Sequence, residues 1–309
     1  MQNELARTVD YIGLKAQYDM QCKKVLAQKA ILSRILKGTM EEFQDMSLEE
    51  IEGCIDEPEI SATPVLPGET NSGKIIGLQN EEGIVGEGTV CFDIRFAVYI
   101  PRLNEKQKIM INLEAQKKFN PGYEIVTRAI FYGARLISSQ YGTEFANSDY
   151  DSVKKVYSIW ICMNAPDYIG NTIADYSIQK TEIFGQQLTK KEAYDKMSVV
   201  IVTLNEKTAA EELTSMLNTL LSSSIQPTEK KRILEEKHHI SMHDEMKKEV
   251  NVMCNLSDLV EERGIEKGIE KGIELVVKAL LKNGKVSDAD IAEAAEISME
   301  QLEMLKRRL

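Results

Sequence analysis

Between residues 6 and 54 apolar positions recur near helical spacing, with Leu26, Ile31, Leu32, Ile35 and Leu36 as the strongest stripe. Gly38 is placed to cap that helix, and Ser47 followed by Glu50 reads as a capping box for LEEIEGCI. The next stretch, EPEISATPVLPGETNSGK, holds three of the seven prolines, so the chain should be extended or looped over residues 57–74. Two alternating segments follow. In VCFDIRFAVYI, Phe92, Ile94, Phe96 and Val98 share one face, with Asp93, Arg95 and Tyr99 on the other. In KIMINLEAQ, Ile109, Ile111, Leu113 and Ala115 alternate with Met110, Asn112, Glu114 and Gln116. A period of two is that of a strand, and the polar PRLNEKQ between the runs suits a hairpin turn. A helix is expected from about Gly122 to Tyr141. Apolar segments VYSIWICM and KMSVVIVTL follow, with a strand-like region at residues 176–178 between them and helices to the end. This order indicates an α/β chain in which a mixed sheet is covered by helices.

The hairpin brings acids together. A turn about Asn104 puts Asp93 opposite Glu114, Ala115 or Gln116. Parity removes Ala115, because Asp93 must share a face with Glu114 and Gln116 if the apolar sets of both strands meet one core. Directly opposed residues have Cβ atoms about 5 Å apart, close enough for two carboxylates to grip one divalent cation. Without a cation each would raise the other's pKa, and hard oxygen ligands completed by water suit Mg²⁺. The competing reading pairs Asp93 with Arg95 or another cation on a solvated sheet face.

Composition narrows the class. With 309 residues, 43% hydrophobic and 28% charged, the chain is globular and amounts to one large domain or two ordinary ones. No apolar run reaches membrane-spanning length, and MQNELARTVDYIGLKAQYDM lacks the apolar stretch of a signal peptide. A cytoplasmic protein with no membrane partner is expected. The five cysteines, Cys22, Cys54, Cys91, Cys162 and Cys254, form no CxxC pair and read as reduced thiols. His238, His239 and His243 lie in a charged stretch without metal-ligand spacing, as on a solvated helix face. The net charge of −11 opposes general adhesion to polyanions, so any nucleic-acid surface must be local.

Asp93, the Glu114-Ala115-Gln116 run, and Arg128 and Tyr132 on the next helix resemble the PD-(D/E)XK nuclease superfamily. More narrowly they resemble the PD-(D/E)XK nuclease family transposases, a bacterial branch related to recombination-promoting nucleases. AQYDMQCKKVLAQKAILSRILK, EGTVCFDIRF, INLEAQKKFNPGYEIVTRAIFYGARLISSQYGTEF and KKVYSIWICMN carry the likeness over roughly residues 8–205, and the tail ERGIEKGIEKGIE is also typical of that branch. The resemblance implies a restriction-endonuclease-like mixed central sheet flanked by helices over residues 1–205, a helical extension over 206–262 and a C-terminal helical segment over 263–309. It implies a DNA endonuclease using Mg²⁺, or Mn²⁺ in its place, with Asp93 and Glu114 as metal ligands. In the superfamily the cation polarises the scissile phosphate and activates a water, and a lysine two residues after the glutamate helps orient it. Here that position is Gln116, which hydrogen-bonds but carries no charge. Lys117 points to the opposite face, and Phe92 stands where the motif has proline. These departures leave open the alternative of a nuclease-fold protein that has lost cleavage and binds DNA or a protein partner. Asp19 is the candidate for a further acid from the first helix, against a capping or surface role. Arg128, Tyr132 and Arg135, at i, i+4 and i+7, share a face that could meet a phosphate backbone. The bland readings are a solvated charge for Arg135 and a core ring for Tyr132. Lys106, Lys108, Lys117 and Lys118 could add a basic rim.

Three further signals weigh less. Gly68 to Lys74 fits part of a phosphate-binding loop, but Ile75 follows where a hydroxyl is needed, and ATPVLP spoils the strand that should precede it. Gly264, Gly268 and Gly272 form a stripe beside Ile265, Ile269 and Ile273. That stripe suggests a homo-oligomer formed through residues 263–283, against a flexible connecting helix. Ser287 to Asp290 and Ser298 to Gln301 read as caps of two short helices spaced like a helix-turn-helix. Glu300 and Glu303 would repel phosphates there, which favours a small helical cap or a protein contact.

Overall fold

The computed structural model describes residues 2–60, 93–101, 106–283, 286–295 and 297–308. Two compact units divide the chain: residues 20–252, and residues 1–19 together with 253–309. The sequence reading puts its boundaries instead at 205 and 262. The helices just after 205 belong with the sheet because the first of them packs on an early helix.

The larger unit is a mixed α/β structure around one sheet. Its strands are β1 (Glu59–Ile60), β2 (Ile94–Pro101), β3 (Lys106–Gln116), β4 (Lys155–Cys162), β5 (Thr172–Ser177) and β6 (Met197–Thr203). Their spatial order is β1-β2-β3-β4-β6-β5. The pairs β3–β4 and β4–β6 are parallel, and β1–β2, β2–β3 and β5–β6 are antiparallel. β4 has strand neighbours on both sides and is buried on both faces, which is why it reads as a continuous apolar run; β5, at the edge, is largely exposed.

Helices α1 (Gln2–Leu26), α2 (Lys29–Thr39) and α3 (Leu48–Cys54) account for the early helical pattern, and α4 (Ile125–Ser138) is the helix after the hairpin. The capping box of α3 forms as expected: Ser47 Oγ accepts from Glu50 N–H and Glu50 Oε2 accepts from Ser47 N–H. Gly38, by contrast, is not a cap. α2 continues to Thr39, and Gly38 does not take the left-handed conformation a terminal glycine would supply. Its missing side chain admits Leu213, because a Cβ there would come within 2.6 Å of Leu213 Cδ2.

Ile125, Ala129, Tyr132 and Leu136 recur down α4 and bury against Met110, Val156, Trp160, Cys162 and Val199 of the sheet. Gly133 brings α4 down onto Met197 of β6. Tyr157, on the other face, donates its hydroxyl to Glu42 between α2 and α3, and buried Lys155 bonds both Glu42 and Asp195. The remaining helices are α5 (Lys191–Tyr194), α6 (Glu212–Leu221), α7 (Pro227–Glu236), α8 (Asp244–Asn283), α9 (Asp288–Ala294) and α10 (Met299–Arg308). In the smaller unit Val277, Ile291, Ala292, Ala295 and Leu302 form a core joining α8, α9 and α10, and Ser287 caps α9 as expected. The glycine stripe lies on α8 with open space around Gly268 and Gly272 and with Ile265 and Ile269 exposed.

The phosphate-loop match at residues 68–74, the segment 61–92 with Phe92 and Cys91, and the turn residues 102–105 lie outside the described residues. The other four cysteines are buried, and burial pushes the Cys162 thiol up to about 12. Among the described residues no helix is long and apolar enough to cross a membrane.

Candidate functional site

Ile94 pairs with Leu113 across the hairpin. One step further on, that register sets Asp93 beside Glu114, selecting one of the two alignments that parity leaves open. Their backbones and carboxylates interlock: Asp93 N–H donates to Glu114 Oε1 at 3.0 Å, and Ala115 N–H donates to Asp93 Oδ2 at 3.1 Å. Asp93 sits at the mouth of the hairpin and is partly shielded, while Glu114 lies deeper, 4% exposed.

Their environment separates them. Burial, and after it the Asp93 charge, raises the Glu114 carboxyl far above the ordinary carboxylate range; the Asp93 N–H, Arg128 and Asn112 only partly oppose this. Asp93 carries an ion pair instead. Lys23 Nζ, from the last turn of α1, lies 2.8 Å from Asp93 Oδ1. The competing reading thus finds a cation in Lys23, at a shielded rather than a solvated place.

Asn112 lies two residues before Glu114 and so on the same face of β3. It is fully buried, and its side-chain amide lies close enough to Glu114 to favour the charged carboxylate. Among the described residues no three His, Cys, Asp or Glu side chains form a metal cage. Two adjacent carboxylates nevertheless fit Mg²⁺, which commonly takes one or two carboxylates and fills its shell with waters and substrate phosphate.

The neighbouring residues fall into place unevenly. Gln116 is half-buried on the Glu114 side of β3, but its Nε2 donates to Lys118 O at 2.9 Å rather than to either acid. Arg128 is drawn into the site. Its guanidinium donates to the hydroxyls of Tyr123 and Tyr132 and lies 5.2 Å from the Trp160 ring centre, with Trp160 paired beside Glu114 in the sheet. No carboxylate pairs with Arg128 among the described residues, so its charge is held by rings and phenols. Tyr132 serves two ends, its ring edge-on to Trp160 at 5.2 Å and its hydroxyl on Arg128. Arg135, a turn further along, is buried and packs over Phe131. Lys117 is exposed at the end of β3. Of the rim lysines, Lys108 is taken up by Glu144, Lys118 is exposed, and the Lys106 side chain lies outside the described ones. Asp19 is exposed on α1 and belongs to the other compact unit.

Sequence reading missed Lys23, Asn112 and the aromatic bed of Arg128. Lys23 was legible only as half of a Lys-Lys pair near a helix end, and Asn112 only as a polar residue in an apolar strand. Comparison with protein-family models, characterised proteins and solved structures gives no match to this chain.

Proposed function

We propose that the chain is a Mg²⁺-dependent DNA endonuclease of the PD-(D/E)XK transposase type, built on a restriction-endonuclease-like sheet and acting in the cytoplasm. The observation that carries this reading is the Asp93–Glu114 pair, interlocked across the hairpin with the Arg128 guanidinium nearby. A bound Mg²⁺, or Mn²⁺, supplies Lewis-acid polarisation of the phosphate and a more acidic water. Asp93 and Glu114 hold the ion, and Glu114 gives up its proton to do so. Arg128, rigid on its ring bed, meets a phosphate oxygen with two donors. Gln116 would orient the attacking water through its side-chain amide, one N–H of which is donated to Lys118 O. Water would add at phosphorus and release a proton to solvent, one P–O bond of the backbone would break, and the leaving oxygen would take a proton from solvent.

A second reading, a nuclease-fold protein that binds DNA or a protein partner without cutting, is favoured by the neutral Gln116 and by the Lys23 ion pair on Asp93. Supercoiled plasmid incubated with the protein and Mg²⁺ or Mn²⁺ separates the two. Nicking that is lost in both Asp93→Ala and Glu114→Ala is the expected result. Retardation of DNA without nicking moves the assignment to the binder, and neither effect removes DNA from the account.

A further inference from the structure

Both oxygens of Asp93 are engaged. Its Oδ2 accepts from the Ala115 N–H, and its Oδ1 faces Lys23 Nζ at 2.8 Å. Both side chains are shielded, Lys23 at 11% and Asp93 at 19% exposure. A divalent ion shared by Asp93 and Glu114 competes with the ammonium for the Asp93 carboxylate, and two positive centres on one carboxylate repel. One of them must leave.

Arg128, which also bears on Glu114, is poorly suited to move. Arg128 is fixed by the hydroxyls of Tyr123 and Tyr132 over the Trp160 ring. Lys23 ends a flexible four-carbon stem whose compact charge re-aims at little cost. Gln116 brings no charge, and one of its amide N–H groups is donated to Lys118 O. A phosphodiester entering this site carries a negative charge that the displaced ammonium can follow.

We propose that Lys23 is the exchangeable cation of this site: it neutralises Asp93 when no divalent ion is bound, yields Asp93 to the ion, and then pairs with the substrate phosphate. This assignment rests on the nuclease reading. It gives Lys23 the positive role that Gln116 cannot fill, from a different element of the fold.

The test uses the full chain, with Mn²⁺ as the probe. By calorimetric titration Lys23→Gln binds Mn²⁺ about tenfold more tightly than the wild type, because the competing ion pair is gone. At saturating Mn²⁺ the same variant nicks supercoiled DNA at least about tenfold more slowly. Lys23→Arg recovers part of the nicking, and Lys24→Gln, at the neighbouring exposed lysine, matches the wild type in both measurements. Affinity and turnover thus move in opposite directions, whereas a merely structural lysine lowers both. A wild-type measurement stands independently of variant folding: labelling of the Lys23 amine by an acylating reagent, followed by peptide mass spectrometry, rises several-fold on adding Mn²⁺ while Lys24 labelling does not change. Unchanged or weaker Mn²⁺ binding by Lys23→Gln, or unchanged Lys23 labelling, overturns the exchange while a nicking wild type keeps the nuclease reading. A wild type that neither binds Mn²⁺ nor nicks DNA ends both.

Discussion

Glu114 is a carboxyl in a place that disfavours its charge. Its folded-state pKa is raised by burial and by Asp93, so the folded protein keeps a proton that the unfolded chain releases as pH climbs past the ordinary glutamate value. The sign follows: below that value both states are protonated and Glu114 costs nothing, and above it stability is lost progressively as pH rises toward the folded pKa. In EDTA, Glu114→Gln should match the wild type near pH 4.5 and grow more stable relative to it up to pH 8, by at most about 1.4 kcal/mol per pH unit. Urea midpoints across that range check this, and added Mg²⁺ should stabilise only the wild type. Arg128 poses the opposite case, a guanidinium held by phenols and rings with no carboxylate in an ion pair with it among the described residues. If it meets a DNA phosphate, Arg128→Gln should weaken binding evenly across sequences and reduce the slope of log affinity against log salt by about one. An unchanged slope removes Arg128 from the interface.

Close approach decides where α2 and α4 sit. Gly38 and Gly133 lie inside helices, where glycine costs about 1 kcal/mol relative to alanine, and both stand where a Cβ would strike a neighbour, Leu213 in one case and Met197 in the other. Gly53, in α3, has nothing within 4 Å of a built Cβ. Gly38→Val should therefore destabilise the fold by about 1–3 kcal/mol through overpacking, and Gly53→Ala should stabilise it by up to about 1 kcal/mol. Thermal or urea unfolding of the two variants measures the contrast, and equal effects would mean that α2 and α6 do not pack this closely. The hairpin shows the same limit on sequence reading. Alternation placed Asp93, Asn112 and Glu114 on one face and left two registers open, and the ladder chose between them. The pattern marked that face as polar, yet Met110 lies under α4 and Asn112 and Glu114 are sealed from water, because coverage depends on a helix that the strand does not encode.

Across the whole chain a net charge of −11 makes DNA binding, if it occurs, a matter of one local surface rather than of general attraction. The exposed Ile265 and Ile269, beside the open Gly268 and Gly272 on α8, keep self-association through residues 263–283 as a prediction. Light scattering on the full chain should give an oligomeric mass that Ile265→Glu with Ile269→Glu reduces; a monomeric mass in both proteins ends the idea.

The order of helices and strands, the hairpin, the capping box of α3 and the pairing of two acids on one sheet face were all determined by the sequence, because period, turn chemistry and side-chain parity are local properties of a chain. The choice of register, the burial that makes Glu114 hold its proton, the arrival of Lys23 at Asp93 and the ring bed under Arg128 were decided only in three dimensions. Each joins residues far apart in the chain, 70 positions separating Lys23 from Asp93, through packing that no local pattern records.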